Sequence, residues 1–312
     1  MNPAVFIPAD VGINAAMAIC AVAFVSGTAR GFSGFGSALI FMPLASSIAD
    51  PRLVAALLLI IDFIAAAPLL PGAWQKADRK ATSIMVFGAL IGVPIGTYFL
   101  SRLEPVTTRW IISGFVFALL LLLLSGWRYR GKDHAAVSIG VGGLAGFCSG
   151  LAQTGGPPIV AYWLGRPLPS AIARANIVLF FGASDFFSGV SYAAAGLITL
   201  DAIKFAIIVG PVYAIGVWFG ASLFGKASEA VFRSICYALI AAAVIFGLPA
   251  LDGVLRCTRI VGWAKRSVPT LRLPILRRVH HQITISIPIP LDALAGRHRK
   301  SPRKHRSATT QV

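Results

Sequence analysis

Two aspartates stand inside otherwise apolar runs of the sequence, Asp62 in IIDFIAAA and Asp185 in FGASDFFSG. A carboxylate held away from water is costly, so such a group is generally paired, protonated or functional. Proton uptake and release is the chemistry that two groups of this kind could perform, and we predict proton-coupling roles for Asp62 and Asp185. The alternative for each is structural: a hydrogen-bonded helix cap, or the partner of a basic group near an interface.

A glycine-rich segment in the second half of the chain is interrupted by two prolines. Residues 139–164 read IGVGGLAGFCSGLAQTGGPPIVAYWL, and the Pro-Pro pair removes two amide donors and cannot sit inside an unbroken helix. Within a membrane, non-helical backbone is tolerated only where it is buried in protein or lines a wet cavity. A broken segment of this kind predicts a transport site. Its candidate substrate-binding residues are Gln153, Thr154, Gly155, Gly156 and Pro157.

A second glycine-rich segment lies near the N-terminus, where Gly31-Phe32-Ser33-Gly34-Phe35-Gly36 follows Arg30. A helix that restarts after such a break presents free amide groups and the positive end of its dipole, which suit an anion. The guanidinium of Arg30 could bind an anionic head group bidentately, or the side chain could instead extend to a membrane interface. The candidate substrate-binding residues of this segment are Arg30, Ser33, Gly34, Gly36 and Ser37.

Glycine in membrane helices also has a purely structural use, since small residues let two helix backbones approach closely. We predict this packing role for the glycine pairs at 92–96 and 216–220. Packing does not require two adjacent prolines, so the site interpretation is retained for 155–158. Arg109 and Arg233 come early in apolar runs and are predicted to be interfacial anchors.

Composition places these residues in a membrane protein. Hydrophobic residues make up 57% of the 312 residues and charged residues 12%, whereas soluble domains carry roughly 25% charge. Mean hydropathy is +0.79. No Walker, HExxH or GxSxG motif is present, and the cysteines and histidines lack metal-ligand spacing. We therefore predict an all-α integral membrane protein that is not an enzyme and binds no cofactor or metal.

The two halves of the chain match each other in order. The first glycine-rich segment corresponds to 146–150 in the second half, and Asp62-Phe63 corresponds to Asp185-Phe186. The glycine pairs named above also correspond, at the offset that relates Arg109 to Arg233. Several matches in one order indicate an internal repeat.

Apolar runs of about 20 residues can span a bilayer, and their number predicts the architecture. We expect about eight transmembrane segments in two four-segment repeats with broken, Gly/Pro-rich helices. The first repeat covers 1–127 and the second 135–253, with a cytoplasmic linker at 128–134. If each broken segment forms a full hairpin instead of one crossing, the count is ten.

Basic residues are distributed unevenly. Residues 1–253 hold 15 Lys/Arg and 10 Asp/Glu, whereas 254–312 hold 13 Lys/Arg and one acid. The tail is predicted to be disordered and cytoplasmic, in contact with anionic lipid; nucleic-acid binding is not expected, because the excess charge lies outside the body. Basic clusters at 76–80 and 128–132 predict cytoplasmic loops, and eight spans then place both termini in the cytoplasm.

The pairing of Gly-x-x-Gly-x-Gly at 31–36 with Ser-Gly-x-x-x-x-Gly-Gly-Pro at 149–157 resembles the sulfite exporter TauE/SafE family of membrane permeases. The resemblance covers roughly residues 10–250. Two features depart from the family pattern: Ser37 stands where a further glycine is common, and the tail after about residue 255 is foreign to it.

The resemblance implies a multi-pass carrier of the bacterial inner membrane. Its substrate would be a small anion, namely sulfite, a sulfonate or a related organosulfur compound, moved by secondary transport. Partners beyond this substrate and the bilayer are not implied, and homo-oligomerisation stays open. The alternative function is a non-transporting membrane assembly or partner-docking protein that uses the basic tail.

Overall fold

A computed structural model describes residues 6–8, 11–129, 131, 134–223 and 229–251. Within these ranges every regular element is a helix. The predicted tail, 254–312, lies outside them. The α-helices are α1 (Ile13–Ser33), α2 (Ser37–Ile48), α3 (Pro51–Ala66), α4 (Leu70–Lys76), α5 (Arg79–Arg102), α6 (Pro105–Leu124), α7 (Ala135–Ala152), α8 (Gly156–Trp163), α9 (Ser170–Ala194), α10 (Leu200–Leu223) and α11 (Glu229–Gly247), with 3-10 turns at Ala67–Leu69 and Pro249–Leu251.

Seven helical stretches of the described residues are long and apolar enough to cross a membrane. Large apolar side chains on their outer faces, such as Ile64, Phe186 and Trp218, are more than half exposed, as expected for surfaces that lipid covers. The protein is therefore a multi-pass integral membrane protein, and its described residues have the all-α architecture expected from the sequence. The seven stretches are Ile13–Ser33, Pro51–Lys76, Arg79–Arg102, Pro105–Leu124, Ala135–Ala152, Ala171–Ala194 and Leu200–Leu223.

Both glycine-rich segments break their helices. After α1, Gly34 and Gly36 adopt φ angles of 79° and 95°, which glycine tolerates because it has no Cβ atom. After α7 the break falls at Gln153, whose φ of 56° is the one positive value at a non-glycine residue among those described. The following prolines occupy the first turn of α8, where a missing amide donor costs least.

The second broken segment is a hairpin. The hydroxyl of Ser138, near the start of α7, lies 2.6 Å from the hydroxyl of Tyr162, near the end of α8. The backbone amide of Tyr129, ahead of α7, donates to the carbonyl of Ala161 at 3.1 Å. Helix α8 therefore returns to the end of the bundle where α7 begins. The eight-span count, which treats this segment as one crossing, is not confirmed by the seven candidate spans.

Polar contacts identify the loops that share an end of the bundle. At one end, the amide of Asp78 donates to the Asn176 side chain at 2.8 Å, which joins the start of α5 to α9. At the other end, Arg52 donates to the carbonyls of Leu100 and Leu103 at 3.2 and 2.9 Å, which joins the start of α3 to the end of α5.

Arg109 belongs to that second end. It is 1% exposed and donates to the carbonyl of Gly247 at 3.2 Å, so it ties the start of α6 to the end of α11. The expected interfacial anchor is instead a buried cross-link, because a guanidinium can satisfy helix C-terminal carbonyls. The side chain of Arg233 lies outside the part of the chain that the structure describes.

Glycines bring two helix pairs into backbone contact. Helix α5 packs along α7, where a Cβ atom at Gly92 would lie 2.1 Å from the carbonyl oxygen of Gly143. Helix α1 packs along α10, where a Cβ atom at Gly220 would lie 2.1 Å from the carbonyl oxygen of Thr28. Real Cβ atoms cannot approach so closely, so the packing role predicted for the glycine pairs at 92–96 and 216–220 agrees with the structure.

Candidate functional site

A small polar cavity lies where the two broken segments meet. Its volume is about 30 Å³, which leaves space for about two water molecules. We call it the central cavity. It is lined by Arg30, Phe35, Gly36, Ser37, Ala38, Leu39, Leu58, Asp62, Ser149, Gln153, Thr154, Gly156, Pro157, Phe181 and Asp185.

An ion pair forms one wall of the central cavity. The Nε atom of Arg30 on α1 lies 2.8 Å from Oδ1 of Asp62 on α3, and both side chains are mostly shielded from solvent. The hydroxyl of Tyr213, from α10, donates to the same oxygen. The guanidinium has four further N–H donors, so Arg30 can still bind an anion while Asp62 holds it in place.

Asp185 of α9 lines the same cavity but has different surroundings from Asp62. It is 8% exposed, and its Oδ2 atom has no hydrogen-bond partner among the described residues. A buried, unpaired carboxylate is strongly disfavoured as an anion and much less so when protonated. The two aspartates are therefore not equivalent: Asp62 has a fixed cationic partner, whereas Asp185 is free to hold a proton.

Two half-helices begin at the cavity. Helix α2 starts at Ser37, a side chain 2% exposed, and helix α8 starts at Gly156. The positive ends of both helix dipoles thus point into one small space, which favours an anion. Because Pro157 and Pro158 have no amide hydrogen, the first turn of α8 has fewer donors than that of α2.

Gln153 is held by a tyrosine that the sequence analysis did not select. Its side-chain nitrogen donates to the hydroxyl of Tyr192 at 3.3 Å, and that hydroxyl donates to the carbonyl of Gly150 at 2.9 Å. Thr154 donates to the carbonyl of Cys148 at 3.3 Å. These bonds satisfy the end of α7 and fix the turn that carries both side chains to the cavity.

Three of the predicted binding residues do not line the central cavity. Gly155 lies behind it, where a Cβ atom would fall 2.3 Å from the Ser149 hydroxyl. Gly34 caps α1, with its amide 2.7 Å from the carbonyl of Arg30. The hydroxyl of Ser33 lies 2.7 Å from the carbonyl of Ala29 and also contacts the backbone of Phe35.

The structure also adds residues to the site. Tyr213 and Tyr192 contact the polar groups described above, and Phe35 and Phe181 supply apolar walls. The sequence does contain a feature that could have identified the tyrosines, since each is a hydroxyl-bearing residue inside an apolar run. No periodicity connected them to the aspartate or the glutamine that they contact.

A second, larger cavity of about 250 Å³ lies beside the first. We call it the outer cavity. Its walls are mostly apolar, and Trp127 and Arg128 stand at the loop between α6 and α7. The residues that line it are Ala29, Phe32, Ser33, Phe35, Gly36, Ile40, Leu122, Leu123, Gly126, Trp127, Arg128, Val160, Ala161, Leu164, Cys236, Tyr237 and Ile240.

The described residues do not offer a set of ligands for a metal ion. Among the described residues, no group of three or more His, Cys, Asp or Glu side chains could hold a metal ion. The charged groups that line the central cavity are one guanidinium and two carboxylates, and hydroxyl and carboxamide side chains line it beside them.

Comparison with known protein families gives a match. The family model described as sulfite exporter TauE/SafE matches residues 19–247, which is well over half of the 312 residues. The matched range includes every residue of the central cavity. No curated protein and no solved structure matches the chain.

Proposed function

Because the chain belongs to the sulfite exporter TauE/SafE family, we propose that it is a secondary transporter of a small sulfur-containing anion. The anion is sulfite, a sulfonate or a related organosulfur compound, and the membrane is the bacterial inner membrane. The central cavity is its binding site. The protein supplies binding and alternating access, and an ion gradient supplies the driving force.

The observation that carries this proposal is the position of Arg30. Its guanidinium faces a cavity that also receives the positive ends of α2 and α8. A sulfur oxyanion presents several acceptor oxygens, which match the spare donors of a guanidinium and the amides of a helix start. The cavity of about 30 Å³ must widen to admit such an anion, as alternating access requires.

Charge balance suggests how protons couple to the anion. Because the charges of Arg30 and Asp62 cancel in their ion pair, the net charge of the cavity depends on Asp185. An ionised Asp185 repels an incoming anion, whereas a protonated one does not. Anion and proton therefore bind together and cross in the same direction.

The two halves of the transporter are inverted repeats in this proposal. Each has a broken hairpin, α1–α2 or α7–α8, followed by three crossings. Support comes from the reciprocal packing of the hairpin helices, since α1 lies along α10 and α5 along α7 with glycines at both contacts. Inverted repeats with broken helices at mid-membrane are a recurring plan of secondary transporters.

Inverted repeats change the predicted orientation. One end of the bundle carries the basic residues of three loops and of the start of α9, at 76–80, 128, 166 and 174. We place this end in the cytoplasm by the positive-inside rule. Three crossings after α8 then bring Leu251 to the opposite side, in place of the cytoplasmic C-terminus expected from eight spans.

Transport by purified protein tests the function. Proteoliposomes containing the full chain should accumulate radiolabelled sulfite or an alkanesulfonate above the level of protein-free liposomes, and an inward proton gradient should increase the accumulation. Saturable uptake that competes between the two anions supports a common site. If correctly inserted protein moves neither anion, the transporter assignment fails and the assembly or partner-docking function takes its place.

A further inference from the structure

The central and outer cavities are separated at one point of the chain. Of the described residues, Phe35 and Gly36 line both of them. Gly36 has no side chain, so among the described residues Phe35 is the one whose side chain borders both cavities. Two spaces of about 30 and 250 Å³ are thus kept apart by one half-buried ring.

The backbone around Phe35 is suited to movement. It forms a short linker between α1 and α2, with Gly34 and Gly36 on either side in left-handed conformations. Glycine reaches both signs of φ at little cost, so the linker can change path without disturbing either helix. The Ser33 hydroxyl, bonded to the backbone of Phe35, holds the linker in the present conformation.

Phe35 also packs against the start of the other half-helix. A Cβ atom at Gly156 would lie 3.7 Å from the Cβ of Phe35 and 3.8 Å from Cζ of Phe181. The ring therefore covers the N-terminus of α8 from the side of the outer cavity. Phe181, on α9, contacts the same start of α8. It lines the central cavity but not the outer cavity.

We propose that Phe35 is the gate between the outer cavity and the central cavity, and that the outer cavity is the access route from the Arg128 end of the protein. This inference rests on the proposed function. The guanidinium of Arg128 attracts the anion to the apolar outer cavity, and displacement of the Phe35 ring lets it pass to Arg30. The closed ring keeps water and ions of that side from Asp185.

Thiol accessibility tests the gate without requiring transport. In a full-length chain with its other cysteines replaced, the native Cys236 reports on the outer cavity and a Leu58→Cys substitution on the central cavity. A membrane-impermeant anionic thiol reagent is applied from the Arg128 side of sealed vesicles. Cys236 should react readily, and the cysteine at position 58 slowly.

Removal of the ring should remove this protection. Phe35→Ala should speed labelling at position 58 about tenfold or more, because access to the central cavity no longer requires a sparsely populated open conformation. Phe35→Leu should give an intermediate rate. The rate at Cys236 should not change. Phe181→Ala is the matched control, since it also takes an aromatic ring from the Gly156 contact, and it should leave position 58 protected.

Two results would overturn the gate. One is unchanged labelling at position 58 in both Phe35 variants with Cys236 still accessible. The other is equal acceleration by Phe181→Ala, which would show that loose packing and not the partition sets the rate. The readout is a labelling rate, so failure of the gate and failure of anion transport are separate outcomes.

Discussion

Arg30 and Asp62 form an ion pair across two helices, with Nε of the arginine 2.8 Å from Oδ1 of the aspartate. Tyr213 donates to the same carboxylate oxygen from a third helix. The contact therefore ties α1, α3 and α10 together at the central cavity. Asp185 lines the same cavity, and its Oδ2 has no hydrogen-bond partner among the described residues.

Asp185→Asn should make anion binding independent of pH. In the wild-type protein, affinity for an alkanesulfonate should fall as pH rises, because Asp185 ionises and repels the anion. The amide resembles the protonated acid, so this variant should bind tightly throughout and should lose accumulation driven by a proton gradient. Isothermal titration with the purified protein over a range of pH checks the first effect, and proteoliposome uptake checks the second.

Asp62→Asn is the matched comparison. It frees the Arg30 guanidinium from its partner, so anion binding should become tighter while the dependence on pH is retained. If both variants keep the wild-type dependence on pH, neither carboxylate takes part in coupling.

Gly142→Ala should destabilise the protein, whereas Gly140→Ala should not. A Cβ atom at Gly142 would lie 1.9 Å from the carbonyl oxygen of Met85, but one at Gly140 would meet nothing within 4 Å. Both residues are on α7, so helix propensity is matched. Overpacking costs about 1–3 kcal/mol, which should appear as a lower midpoint in thermal unfolding of the first variant alone. Equal midpoints would mean that α5 and α7 do not touch as described.

Reporter fusions should place the Arg128 loop in the cytoplasm and Leu251 on the opposite side. Alkaline phosphatase joined after Leu251 should be active, because it folds only outside the cytoplasm, and a fluorescent protein inserted after Arg128 should fluoresce. The basic tail is excluded from the first fusion, so its own charge cannot influence insertion. Activity in the reverse pattern would refute the inverted orientation and restore the C-terminus predicted from eight spans.

Removal of the tail should leave transport nearly unchanged. A chain that ends at Gly253 keeps every residue of the central and outer cavities and loses only the basic segment that follows. Flux per inserted molecule, measured in proteoliposomes, should stay within about twofold of the full chain, because salt-screened contacts with a lipid surface do not build the site. Normal insertion with no flux would assign the tail a direct role in gating or docking.

Several elements of the fold could be predicted from the sequence for physical reasons. The helix breaks follow from glycines at 34 and 36 and from the Pro-Pro pair, since both exclude a continuous helix. The close helix contacts at 92–96 and 216–220 follow from the spacing of small residues. The inward position of Asp62 and Asp185 follows from the cost of exposing a carboxylate to lipid.

Other features depend on contacts that sequence patterns do not encode. The hairpin of α7 and α8 is fixed by Ser138 and Tyr162, which have no shared motif. The sequence predicts an interfacial position for Arg109, but in the structure its guanidinium donates to the backbone carbonyl of Gly247, far along the chain. Asp62 and Asp185 differ in their partners, since Arg30 pairs with Asp62, and the matching apolar runs do not predict this difference.

The most direct measurement of the central claim is counterflow of labelled sulfite in proteoliposomes containing Arg30 variants. Arg30→Gln removes the guanidinium from the cavity. The double variant Arg30→Gln/Asp62→Asn also removes the charge of its partner, so that no unpaired carboxylate is left buried. Arg102→Gln is the control, because Arg102 is an exposed residue that does not line the cavity. The account predicts wild-type exchange for the control and at least about tenfold slower exchange for the single and double Arg30 variants, since charge-assisted anion contacts are lost. Wild-type exchange by the correctly folded double variant would contradict it.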